Sequence, residues 1–273
     1  MSAFVLPVDE IDPVGFALSY PFARPAGSFV FGPGDAGVAA ALRVEVAAKR
    51  TGEAAGLEVP LATLTADVGG EQVEFADRVP VLASGSNAAP SQLARKFGSM
   101  SIPPIPVVEV VAEGLASVYS AHVARYGSIA ATLAPCDGVR SRLHLLFVPA
   151  CALEHLNRTE SVGSNYMLCE LTGARLPVGS SVVAPLAYIS RRGPARVDGM
   201  PRALPGTADE GLPEATQAEM QASLQRELGE RGELNGFVAR LIREDAFRAR
   251  ATDFLASTTE RIVPGGTKIL AGG

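Results

Sequence analysis

The stretch Val81 to Gly98 reads V-L-A-S-G-S-N-A-A-P-S-Q-L-A-R-K-F-G. A short apolar run ends in a small polar turn, Ser84-Gly85-Ser86-Asn87, and Pro90 then opens an amphipathic segment. Proline is tolerated in the first turn of a helix, where its missing N–H costs nothing, so the spacing predicts a helix over Pro90 to Phe97. A glycine turn at the carboxyl end of a strand exposes successive backbone N–H groups. The helix behind it adds the positive end of its dipole, so the turn suits a carboxylate or another anion. Taken alone, the turn is equally well a turn.

Outward from this point the chain reads as consecutive strands with few helices. Strands are predicted at Val79 to Ala83, Val107 to Val111, Ala116 to His122, Ser128 to Leu133, Ser141 to Val148, Ser164 to Leu171 and Val182 to Ile189. A second helix is predicted over Ala150 to Glu160. Mostly consecutive strands argue for a mixed or antiparallel sheet curled toward a barrel, an α+β class. Residues 1–76 carry glycine, proline and short β-like runs: Ser28 to Phe31, Leu42 to Val46, and Leu57 to Thr65 with Gln72 to Phe75 flanking Gly69-Gly70. They read as a β-rich extension on a core at 77–192. Residues 193–273 read as a linker or meandering loop, Gly193 to Pro213, followed by helices at Glu214 to Glu230, Leu234 to Asp245 and Ala246 to Ile262.

Composition narrows the function classes. The chain has 273 residues, 47% hydrophobic and 19% charged, which suits a large packed core. A net charge of −5 argues against a nucleic-acid surface, and the basic cluster of Arg191, Arg192 and Arg196 reads as a solvated loop. The apolar runs fall short of the roughly 18 residues of a membrane helix, so no membrane partner is expected. Three cysteines, Cys136, Cys151 and Cys169, without metal-like spacing, and no basic leader at the start fit a reduced, cytoplasmic chain.

Two apparent motifs fail on context. Gly32-Pro33-Gly34-Asp35-Ala36-Gly37 matches G-x-G-x-x-G, but no helix follows it and no acid-ended second strand appears at the expected distance. Cys151 and His155 stand four apart on one predicted helix, but no third metal ligand is apparent. The third piece of chemistry is Glu160. It follows Leu156 at i+4, so it lies near the buried side of its helix, at the core's edge, where an acid can work as a general base; by itself the position also suits a surface acid at a helix end.

Together, the L-A-S-G-S-N turn and Leu156-Asn157-Arg158-Thr159-Glu160-Ser161 resemble the γ-glutamylcyclotransferase-like family. That family pairs a Tyr-Gly-Ser-Asn loop after its first core strand with an L-D-x-x-E-G segment after a helix. Arg125 to Pro135, R-Y-G-S-I-A-A-T-L-A-P, resembles the strand pair before that helix. The resemblance covers roughly residues 77–190. It departs at three positions: Ser84 stands for the loop tyrosine, Asn157 for the aspartate and Ser161 for the glycine after the acid.

The resemblance implies a metal-free and cofactor-free reaction on a small amide or γ-glutamyl substrate. The substrate's own α-amine attacks its γ-carbonyl, giving 5-oxoproline and a free amine. It implies Glu160 as the general acid/base, Ser84, Gly85, Ser86 and Asn87 as the substrate-binding loop, and Tyr166 as an orienting residue. Two rivals remain: hydrolysis or acyl transfer at another small amide in the same site, and a non-catalytic protein that binds a small acid or a partner. The C-terminal helices are candidates to cover the pocket mouth or to form a homodimer interface.

Overall fold

The computed structural model describes residues 12–32, 39–41, 65–68, 71–174, 176–178, 181–197 and 199–273. The strands are β1 (Phe29–Phe31), β2 (Ala39–Ala41), β3 (Thr65–Val68), β4 (Glu71–Glu74), β5 (Arg78–Ala83), β6 (Ile105–Val123), β7 (Ile129–Pro149), β8 (Tyr166–Leu171), β9 (Leu176–Val178), β10 (Ser181–Val183), β11 (Leu186–Ser190), β12 (Arg196–Val197), β13 (Met200–Pro201), β14 (Ala208–Glu210) and β15 (Thr267–Ala271). The helices are α1 (Pro13–Leu18), α2 (Pro90–Phe97), α3 (Leu153–Thr159), α4 (Gln217–Glu227), α5 (Leu234–Arg243) and α6 (Asp245–Ser257). Among the described residues, none of these helices is long and apolar enough to cross a membrane.

The fold is α+β, as the strand-rich pattern predicts. One sheet runs β15-β8-β11-β5-β7-β6-β1-β2, with β14 added on β7, and it does not close. Every pairing is antiparallel except β11 on β5. The β6–β7 hairpin is its spine. The sequence predicts two strands in each arm, and the structure makes each arm continuous, with an irregularity where the breaks are expected. Between the pairs Glu113↔Arg140 and Leu115↔Pro135, Gly114 of β6 faces the four residues Cys136 to Val139 of β7. Gly114 and Gly138 both take positive φ, +69° and +75°, which glycine alone adopts at little cost.

This irregularity divides the hairpin into two halves with different coverings. In the half flanked by β5 and β1, one sheet face carries Val81, Ala83, Val107, Leu146 and Val148. Leu93 and Phe97 of α2 and Leu156 at the end of α3's first turn pack against it. The opposite face carries Leu82, Val108, Leu145 and Phe147 against Met167, Cys169 and Ile189. In the other half, Tyr119, Ala121, Ile129 and Ala131 are covered by α1 and by the apolar faces of α4, α5 and α6. Ser128 Oγ donates to Ala17 O at 2.7 Å and Gln221 Nε2 to Gly127 O at 2.6 Å, fixing this layer to the hairpin's tip.

Several expectations are corrected. The β-rich N-terminal region contains a helix, α1, whose Asp12 cap accepts from the amides of Val14 and Gly15. Its strand β1 joins the main sheet beside β6. The predicted strand Val182 to Ile189 is broken at Ala184-Pro185, giving β10 and β11. The last predicted helix stops at Ser257, and β15 pairs with β8 beyond it. The linker or meandering loop expected at Gly193 to Pro213 contains strands, β12 paired with β13 and β14 with β7; Pro194 and Ala203 bridge to β6, and Ala195, Ala203 and Leu204 are fully buried. Thr65–Val68 and Glu71–Glu74 form an antiparallel pair, as the Gly69-Gly70 signal predicts. The expected strand at Leu42 to Val46, most of Leu57 to Thr65 and most of the G-x-G-x-x-G stretch lie outside the described residues.

Leu156 is fully buried and fastens α3 to the sheet face that also holds α2. Leu156→Ala should cost about 2–5 kcal/mol, the range for a large-to-small core change, as a lowered urea midpoint with unchanged slope.

Candidate functional site

The turn after β5 and the end of α3 meet because their helices lie on one sheet face. Ser86–Ala88 forms a single 3-10 turn, whose first bonds run from the Ala88 amide to Gly85 O and from the Ala89 amide to Ser86 O. The amides of Ser86 and Asn87 come before the first bond of that turn, the position that intrahelical bonding leaves unsatisfied. Gly85 is required by close approach: a methyl there would collide with the Tyr20 hydroxyl and lie 2.9 Å from Ala131 Cβ. Ser84 O accepts from Ser117 Oγ, which pins the turn to β6.

Glu160 is the C-cap of α3. The chain leaves the helix in a Schellman arrangement. The Val162 amide donates to Asn157 O at 3.3 Å and the Ser161 amide to Arg158 O at 3.1 Å. Val162 packs with Leu156 in the same apolar cluster. The motif needs a left-handed residue after the cap, and Ser161 occupies it with φ +53°. Asn157 Oδ1 accepts from Tyr188 Oη at 2.8 Å, which ties the helix to β11.

Glu160, Asn87 and Lys96 form a triangle. Glu160 Oε1 accepts from Asn87 Nδ2 at 3.1 Å and from Lys96 Nζ. Lys96 Nζ also donates to Asn87 Oδ1 at 2.6 Å. The side chains of the ion pair are only 15% and 14% exposed. His155 Nε2 lies 2.7 Å from Lys96 O; a carbonyl only accepts, so this nitrogen carries the hydrogen and joins α3 to α2. His155 is thus engaged away from Cys151, which is exposed.

These groups border a cavity of about 260 Å³. It brings together every residue the sequence singles out: Ser84, Gly85, Ser86, Asn87, Glu160 and Tyr166. Tyr166 does not bond Glu160; its hydroxyl donates to Ala131 O at 2.8 Å. Sequence reasoning missed Tyr20, Lys96, His122 and Tyr126 in this wall. Burial, followed by the neighbouring Tyr166, pushes the Tyr20 hydroxyl well up. Burial, followed by the Glu160 charge, does the same for Tyr166 and Tyr126, so all three stay neutral donors. Burial, with Arg192 adding to it, lowers His122 to about 3. His122 is therefore neutral at any working pH. Its Nδ1 lies 3.0 Å from Ser120 Oγ, and Tyr166 meets its ring edge-on.

The cavity combines one carboxylate, one ammonium and several neutral hydroxyls around a turn that offers N–H groups. Such a site can bind a zwitterion and move a proton. No family model matches this chain, and no curated protein does. Among solved structures it is similar to YkqA from Bacillus subtilis, with 16% identity and a TM-score of 0.32 over 66% of this chain. The match spans 64% of the YkqA chain, under two thirds of its length. A likeness that distant leaves functional assignment to the site itself.

Two substitutions test this geometry. Ser161→Gly removes the left-handed strain and should stabilise the fold by up to about 1 kcal/mol, read as a raised Tm. His122 titrates near 6.5 in the unfolded chain and near 3 in the fold. It therefore removes stability as pH falls from 6.5 toward 3, because only the unfolded state takes the proton in that window. Between pH 7 and pH 5 the wild type should lose about 2 kcal/mol more unfolding free energy than His122→Gln, measured by urea titration at both pH values.

Proposed function

We propose that the chain is a γ-glutamylcyclotransferase-like enzyme that folds a γ-glutamyl amide onto itself in the Glu160 cavity. The observation that carries this reading is how Glu160 divides its oxygens. Asn87 and Lys96 both bind Oε1, and Oε2 accepts no hydrogen bond among the described residues. One oxygen is anchored and the other is unengaged.

The substrate's α-ammonium binds at Oε2 and gives up a proton there. The freed amine attacks the γ-carbonyl carbon, the ring closes, and the γ-amide C–N bond breaks. Glu160 passes that proton to the departing nitrogen and takes the second proton that the attacking nitrogen sheds as the lactam forms; this one leaves with the released amine as its ammonium, so the products are 5-oxoproline and a free amine and Glu160 is again a carboxylate. Holding the substrate bent supplies most of the acceleration, since well-oriented intramolecular attack is worth roughly 7–11 kcal/mol. The Ser84–Asn87 turn faces the glutamyl part, with the Ser86 and Asn87 amides toward its carboxylate or the developing oxyanion. The family's loop tyrosine is Ser84 here, and Tyr20 brings a phenol to the same turn from the N-terminal segment. Lys96 keeps the carboxylate oriented through Oε1. The sheet, the helices and the residues at the cavity support this reading.

A second reading draws on the Lys96–Glu160 pair. An acid already neutralised by a lysine suits a site that holds a small acid without turnover. One experiment separates the two. The purified protein is incubated with γ-glutamyl amines and γ-glutamyl dipeptides, and 5-oxoproline is read by mass spectrometry. The cyclotransferase reading expects release by the wild type and a loss of about 10²–10⁴-fold in Glu160→Gln. Binding of the same compounds by calorimetry, with no 5-oxoproline, establishes the second reading.

A further inference from the structure

The chain that delivers Tyr20 to the first cavity goes on to line another one. Pro21, Phe22, Arg24, Pro25 and Ala26 form one wall of a cavity of about 410 Å³. The rest of its lining includes Glu109 from β6, Arg142 and His144 from β7, and Pro205 and Gly206. Among the described residues, none lines both cavities. The size falls within the range of roughly 300–1,000 Å³ typical of small-molecule sites.

Two groups in this wall lack the partners their burial demands. His144 is 6% exposed, and among the described residues neither ring nitrogen has a partner at full hydrogen-bond geometry, although the Gly27 backbone lies near enough to favour its protonated form. Its neighbours are the Phe29 ring, with centroids 6.2 Å apart, and the backbone at Gly27. A buried imidazole without a well-formed hydrogen bond is a net cost unless something supplies a partner. Arg24 is the second. Its guanidinium donates to Pro205 O, and among the described residues it forms no ion pair. Burial lowers its pKa, the mark of a desolvated cation. The nearby Glu214 already accepts the Thr207 and Ala208 amides at 3.1 and 3.2 Å.

Glu109 gives the cavity an opposite pole. It sits directly across from His144 in the β6–β7 ladder. Its Oε2 accepts from the Gly27 amide at 3.3 Å, a long bond that leaves the carboxylate capacity for a cation. An arginine fork matches a carboxylate in two-point geometry, and a neutral imidazole adds one N–H beside it. We propose that this cavity binds a free amino acid, its carboxylate held by Arg24 and His144 and its ammonium by Glu109. The proposal does not depend on the reaction at Glu160.

Isothermal titration calorimetry on the whole chain at neutral pH and fixed salt tests it. The probes are a panel of L-amino acids, with acetate, butylammonium and inorganic phosphate as controls. The expected result is 1:1 binding of at least one amino acid, weakened about tenfold or more by both Arg24→Met and Glu109→Gln, as loss of a charge-assisted contact implies. Glu160→Gln, in the other cavity, should leave that affinity unchanged. Circular dichroism checks that the variants fold, and Arg24→Met and Glu109→Gln are used because they leave the buried His144 in place. In the wild type, the His144 ring ¹⁵N signals should shift as the amino acid is added. The proposal is overturned if no amino acid binds, if phosphate binds more tightly than every amino acid, or if the two variants leave affinity unchanged. Loss of binding in Glu160→Gln would also overturn it.

Discussion

The β6–β7 hairpin sets where everything else can go. Its two arms run through both cores, and the mismatch of Gly114 against Cys136 to Val139 breaks the ladder between them. A continuous ladder of this length would present one uninterrupted twisted surface. The break lets the two halves take different coverings. One half carries β5 and the paired helices α2 and α3; the other carries α1 and the C-terminal helices. The Glu160 cavity draws on both halves. Its turn and acid come from the α2–α3 side, while Tyr20, His122, Tyr126 and Ala130 come from the hairpin's tip and its covering.

Within that frame the Lys96–Asn87–Glu160 triangle is a poor source of stability. Two charges at 15% and 14% exposure lose much of their hydration, and their attraction roughly repays that loss. What the triangle supplies is position. Asn87 donates to the acid and accepts from the lysine, so its amide orientation is fixed by both. His155 fixes the backbone of Lys96 from the other helix. The Schellman turn at Ser161 fixes the backbone of Glu160, and it does so with a residue that bears left-handed strain. A site held this firmly at one carboxylate oxygen leaves the other with a defined direction, which a base needs.

The sequence shows some of this plainly. Helix α2 has the limits that Pro90 and the apolar spacing predict. The gaps predicted inside β6 and β7 mark the real irregularity, because glycine and proline report backbone geometry locally. The turn and Glu160 are legible for the same reason: each depends on its near neighbours. Lys96 is not legible, although it stands within the opening stretch. Nothing local says that the last turn of α2 faces the end of α3; the shared sheet face decides that. His122 ends a predicted strand and carries no local signal of a site; its burial puts it in the cavity wall. Helix α1 escapes detection because six residues give too little period to read. Strand β15 escapes because its residues are mostly exposed, and only the edge of β8 makes them a strand.

The N-terminal segment supplies the wall of the Glu160 cavity above Gly85. Ser84 is too small to shape the space above Gly85. The chain from Tyr20 to Ala26 crosses to this point from α1, and the Tyr20 hydroxyl fills the place a side chain at 85 would claim. Phe22 continues the aromatic packing onto Phe16 and Tyr126, with centroids 4.8 and 6.4 Å away. Arg95 of α2 caps the Phe16 ring at 4.5 Å, joining this cluster back to the helix that carries Lys96. The segment therefore bears on the acid from two directions, through the turn beneath Tyr20 and through α2. Four residues after Tyr20, the same stretch offers Arg24 to the larger cavity. One short stretch of backbone thus walls both cavities with different residues, Tyr20 in the first and Arg24 in the second.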